Sequence, residues 1–205
     1  MGKHPGYPLK NLPKVIVVDT NFIVAYCSTT TPPDDRARIE HFIENVEKAK
    51  SKVVLPMVCV AEFLVGAELA GIEFLNTLER KTYIHMADFN KAAAYELAQI
   101  DRAAIGAGDK KDESEENWQK IKTDRQLVAT GKSLGAQLVI SNDKGVRNNA
   151  LRINMQAMRI QELELPESSR QMHLVPPPIR TLPKPKGKPA PLKVVKPSPR
   201  PTPQA

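Results

Sequence analysis

Residues 15–22 read VIVVDTNF, a β-branched apolar run that stops at a carboxylate and turns polar at once. Continuous Val and Ile without alternation mark a strand buried on both faces, as in a parallel sheet covered by helices. Working outward, KVVLP (52–56) and AQLVISND (136–143) repeat that design, and YIHMA (83–87) reads as a further strand. Helical patterns lie between them. NFIVAYCS starts a helix after Asp19. Ile39, Phe42, Ile43 and Val46 recur at helical spacing through 36–50, with Asp34 or Asp35 as the expected N-cap. VCVAEFLVGAEL reads as a helix with Glu62 about one turn in, and Asp88 is the expected cap of an alanine-rich helix. Residues 118–135 read as one or two helices ending at Gly135, the last opening at Thr123 or Asp124, whereas 151–165 fit helix or strand. Strands alternating with helices predict an α/β fold, a three-layer α/β/α sandwich around a central, mostly parallel sheet.

Four acids sit at the ends of these runs: Asp19, Glu62, Asp124 and Asp143. A carboxylate where a buried element reaches the surface is costly to desolvate. Four brought together would repel one another unless a cation stood between them. Parallel strands deliver their carboxyl ends to one edge, where ligand sites of α/β sheets form. Asp19 and Asp143 should emerge there, with Glu62 and Asp124 early in helices that begin near that edge and present a positive dipole end. Hard oxygen donors without His or Cys suit Mg2+ or Mn2+, and metal-assisted phosphodiester hydrolysis is the natural use. Against this stands the plain alternative that a lone Asp after a strand is a cap or turn residue.

VVDTNFIVAY, PMVCVAEFLVG, TDRQLVATGKSLGA and LVISND, taken together over roughly residues 14–150, resemble the PIN-domain ribonucleases in order and approximate spacing. That resemblance implies a PIN-like fold in which Asp19, Glu62, Asp124 and Asp143 bind one or two Mg2+ or Mn2+ ions and support RNA hydrolysis. By the same resemblance Asn21 and Ser141 orient carboxylates or waters. It further implies the toxin of a toxin–antitoxin pair, a homodimer held in check by an antitoxin protein, with an RNA-processing or defence nuclease as the alternative. The charged insertion GAGDKKDESEEN (106–117) and the proline-rich tail depart from the family pattern without touching the four acids. Lys122, Arg125, Lys144 and Arg147 flank the acids and are candidates for holding phosphates. Trp118, the single tryptophan, packs in the core or stacks on a base.

At 205 residues the chain suits one domain with a real core. No apolar stretch is long enough to span a bilayer, no secretory signal is visible, and Cys27 and Cys59 show no metal-finger spacing, so a cytoplasmic protein with reduced thiols is expected. Residues 1–13 read as an irregular lead-in, 14–165 as the nuclease domain, and 166–205 as a basic, proline-rich, disordered tail. From Pro166 onward there are eight Lys/Arg and one Glu, which equals the whole net charge of +7, so the body sums to zero. Such a tail suits nucleic acid, an aromatic-lined protein groove, or a linker role. A haloacid-dehalogenase phosphotransferase also starts on a strand-end Asp, but needs an acid where Asn21 stands. A receiver domain needs a late-strand lysine that is missing here. A non-catalytic RNA-binding scaffold remains the alternative from another class.

Overall fold

A computed structural model of the chain describes residues 9–108, 111 and 117–172. Most of the charged insertion and the tail from residue 173 lie outside the described residues. In chain order the body runs β1 (Val15–Val18), α1 (Thr20–Cys27), α2 (Pro33–Lys48), β2 (Lys52–Pro56), α3 (Met57–Glu79) and β3 (Ile84–Ala87). It continues with α4 (Lys91–Gly106), α5 (Trp118–Ser133), β4 (Leu138–Ile140), α6 (Lys144–Arg152), β5 (Gln156–Met158) and α7 (Glu167–Met172).

The five strands form one sheet in the order β3-β2-β1-β4-β5, and every neighbouring pair is parallel. The chain therefore leaves β1 toward one edge and later returns to its other side through β4. Right-handed crossovers in opposite directions put helices on both faces. In accord with this, α1 packs against α2 and α3, while α5 packs against α4 and α6. Ile16, Val17, Val18, Leu138, Val139 and Ile140 are almost wholly enclosed, as the unbroken apolar runs required. Among the described residues no helix is long and apolar enough to cross a membrane.

Several local expectations give way. Helix α2 starts at Pro33, whose missing N–H is no loss at a first-turn position. Asp34 and Asp35 fall inside the first turn rather than at the cap. Asn90, not Asp88, caps α4 by accepting the Ala93 N–H at 3.0 Å. Residues 118–133 form one continuous helix capped by Asn117, so Asp124 lies near its middle and opens nothing. Within 151–165 the chain finishes α6, adds the edge strand β5 and closes on a 3-10 turn at Ile160–Glu162. The lead-in is not wholly irregular: Leu9–Asn11 form a 3-10 turn, Leu9 is buried in the core, and its N–H reaches Glu164 at 3.3 Å. Residues 167–172, expected in the tail, are helical.

Helix α5 lies unusually close to the sheet. A Cβ on Gly131 would stand 2.9 Å from Val17 Cβ, nearer than two side chains can sit. At 1.5 Å rise per residue, Asp124 is about 10 Å back along the helix from that contact, which carries it past the middle of β1 toward the sheet edge.

Candidate metal centre

Strand order reverses at β1, so the crevice beyond the carboxyl ends of β1 and β4 is the place where an α/β sheet opens to a ligand. A pocket of about 410 Å3 of empty space, part of it open to solvent, lies there. Asp19, Glu62, Asp124 and Asp143 all line it, together with Thr20, Asn21, Cys59, Lys120 and Thr123.

Asp19 follows β1 directly and is only 3% exposed. One carboxylate oxygen accepts the Phe22 N–H at 3.1 Å, which makes Asp19 the N-cap of α1. The other accepts from Asn21 Nδ2 at 3.2 Å and from the Ser141 hydroxyl. Burial nevertheless pushes its pKa up, and the nearby Asp143 charge adds to that, because the three donors do not fully replace the lost water.

Ser141 directly follows β4 and ties the two strand ends together, since its Oγ also accepts the Asp143 N–H at 2.9 Å. Asp143 in turn caps α6 by accepting the Gly145 N–H at 2.6 Å. Its second oxygen receives the Lys120 ammonium at 2.8 Å. Burial works to raise the Asp143 pKa, but the hydrogen bond and charge of Lys120 and the N–H groups of Gly145 and Val146 outweigh it and hold it low. The cap reading of both strand-end acids is therefore correct as far as it goes, and it leaves each with an oxygen turned to other work.

Asp124 reaches the same place from α5. A Cβ on Gly145 would stand 2.5 Å from Asp124 Oδ2 and 3.1 Å from Asp143 Oδ1, so the two carboxylates meet over the one residue with no side chain. Glu62 comes from α3 on the far side and accepts the Thr20 hydroxyl at 2.5 Å. Among the described residues no three His, Cys, Asp or Glu side chains already stand close enough to enclose an ion. The donor set still fits a hard divalent cation in kind, with four carboxylates and neighbouring hydroxyls. Asp19, Glu62, Asp124 and Asp143 would be the residues to hold such an ion, which would keep several of its waters. Cys59, the one soft donor nearby, is buried and held as the neutral thiol.

The flanking cations divide differently from the sequence reading. Arg125 is fully buried, bonds Asp101 at 2.7 Å and stacks over Trp118 at 5.5 Å, so it belongs to the contact between α4 and α5 and not to a phosphate site. Trp118 has its packing role there. Arg147 donates to the Ser141 carbonyl at 2.9 Å and braces the turn that carries Asp143. Neither Lys122 nor Lys144 lines the pocket. Lys120 does, and it escaped notice because it is four residues from Asp124 instead of adjacent. Lys120, Thr123, Asp124 and Leu127 recur at i, i+3, i+4 and i+7 and share one stripe of α5, whereas Lys122, two residues before Asp124, falls off it. Thr20 and Gly145 were missed too. Their signal lay in position, each being next to or two after a strand-end acid.

The structure resembles that of VapBC2 from Rickettsia felis bound to a DNA fragment from their promoter, at 13% identity and TM-score 0.49, over 71% of this chain and 98% of that one. It also resembles DNA-bound VapBC from Salmonella typhimurium, at 19% identity and TM-score 0.48, over 72% and 99% of the two chains. Comparison with curated proteins finds no match. The profile of the PIN domain matches residues 16–151, well over half of the sequence and nearly all of the span from β1 to α6. The chain therefore belongs to the PIN domain family, whose members are generally nucleases that use divalent metals.

Proposed function

We propose that this protein is a Mg2+- or Mn2+-dependent endoribonuclease, and that Asp19, Glu62, Asp124 and Asp143 hold the metal. The observation that carries this reading is the convergence of all four acids, from two strand ends and two helices, on one pocket at the reversal point of the sheet. When bound, the ion would activate a water and neutralise charge on the phosphoryl oxygens. The chain's own part is to hold the carboxylates. Ser141 and Asn21 fix one oxygen of Asp19, and the α1 backbone fixes the other. Thr20 steadies Glu62. Gly145 leaves room for Asp124 beside Asp143. Lys122 and Lys144 stand outside the pocket, where they would meet phosphates of a longer strand.

Within this reading the protein is the toxin of a toxin–antitoxin pair, a homodimer controlled by an antitoxin protein. The PIN domain profile over residues 16–151 supports the nuclease part of that reading. The basic tail would add affinity for RNA.

The test is cleavage of a single-stranded RNA with Mn2+ by the wild type and by Asp19→Asn. Loss of at least 100-fold in rate is expected from the variant. Equal cleavage would point to a contaminating nuclease or to a non-catalytic module, and would end the assignment.

A further inference from the structure

Lys120 is the one cationic side chain among the residues that line the acidic pocket. Helix α5 carries it one turn before Asp124 on the same stripe, and its ammonium lies 2.8 Å from Asp143 Oδ2. Asp143 itself is anchored at its other oxygen by the Gly145 N–H. The oxygen engaged by Lys120 is thus the one left to meet a ligand. The Lys120 side chain is 40% exposed against 23% for Asp143, so the lysine is the more open of the two to solvent. An ammonium on a flexible four-carbon stem is a movable charge, unlike the enclosed guanidinium of Arg125.

We propose that Lys120 is a resident counter-cation that competes with the divalent ion for Asp143, so that metal binding requires its ammonium to leave. The proposal rests on the reading of Asp143 as a metal ligand. Two consequences follow from electrostatics alone. Without a metal, the lysine offsets part of the repulsion between Asp143 and the other carboxylates of the pocket and ties α5 to Asp143, the cap of α6. With a metal, the same positive charge opposes the incoming ion and weakens its binding. Lys120 therefore raises the metal concentration at which the site fills.

The experiment is calorimetric titration of the full chain with Mn2+, using wild type, Lys120→Met, Lys120→Arg and Asp143→Asn, with thermal unfolding of each metal-free protein. Lys120→Met should bind Mn2+ about three- to tenfold more tightly than wild type while its metal-free form melts at a lower temperature. Lys120→Arg should stay near wild type, because the charge is kept. Asp143→Asn should bind more weakly than wild type. If Lys120→Met binds no more tightly while Asp143→Asn binds weakly, the competition is overturned and the lysine is a structural tie only. If Lys120→Arg tightens binding as much as Lys120→Met, charge is not the agent and the proposal also falls. If Asp143→Asn binds as well as wild type, the ligand reading of Asp143 fails, and the proposal fails with it.

Discussion

Asp19 serves the fold as a helix cap and the pocket as a carboxylate, and the two roles differ in sign. Its cap bond to Phe22 is favourable, but burial raises its pKa, so the charged form is harder to hold in the folded protein than in the unfolded chain. Below the unfolded-state pKa both states are protonated and no penalty arises. As pH rises through the folded-state pKa the charge must be carried in a buried place, and stability falls. Asp143 has the opposite sign, because its lowered pKa stabilises the fold at neutral pH and that contribution is lost as pH falls through the folded-state value. Asp19→Asn should therefore stabilise the metal-free protein by about 1 kcal/mol at pH 7, as commonly found when a functional strain is relieved. The gain should disappear toward pH 3, and urea unfolding at the two pH values measures it. Gly145 makes a second test at this scale. Gly145→Ala forces the Asp124 carboxylate aside, yet that is the end of a movable side chain. The variant should melt within a few degrees of wild type and lose about tenfold or more in Mn2+ affinity. A wild-type affinity would show that Asp124 is not a ligand.

The elements are held by contacts that the residue pattern announces unevenly. Strands β1, β2 and β4 follow from unbroken Val, Ile and Leu, which only a doubly covered sheet can bury. Helices α4 and α5 pack through a half-buried ion pair that no apolar periodicity could announce. Arg125 sits fully enclosed against Asp101 and the Trp118 ring. Removing either partner strands the other charge, and the cost is larger when the stranded charge is the fully enclosed one, Arg125, than when it is the partly exposed Asp101. Asp101→Ala should lose about 2–3 kcal/mol in urea unfolding, discounted for the partly exposed carboxylate, whereas Arg125→Met should lose less. The reverse order would show that packing of the guanidinium on Trp118, not its charge, matters most. The same helix explains the misread start near Asp124. Thr123 and Asp124 look like cap residues, but Asn117 caps α5 first, accepting the Gln119 N–H at 3.0 Å. A helix already begun has no use for a second cap.

For the whole molecule, charge is divided by segment. Residues 173–205 carry seven Lys/Arg and no acid. Truncation after Met172 should leave the metal site intact and flatten the salt dependence of RNA binding, by up to about 5 in log–log slope for a single strand. Fluorescence anisotropy across 50–300 mM salt reads this, and an unchanged slope would mean that the tail serves another partner. The sequence by itself determined the parallel α/β body and singled out Asp19, Glu62, Asp124 and Asp143, because buried strands and costly carboxylates are written in local residue type. By resemblance it also marked Asn21 and Ser141 as residues that orient carboxylates or waters, and the structure gives both to Asp19. Only the tertiary structure decided which cations share the pocket, taking Arg125 inward, Arg147 to a carbonyl and Lys120 to Asp143. It alone joined Thr20 to Glu62 and set Gly145 under Asp124. Those choices depend on how helices rotate about their axes and cross the sheet, and a sequence fixes that rotation through the packing of the entire core, not through any stretch of neighbours.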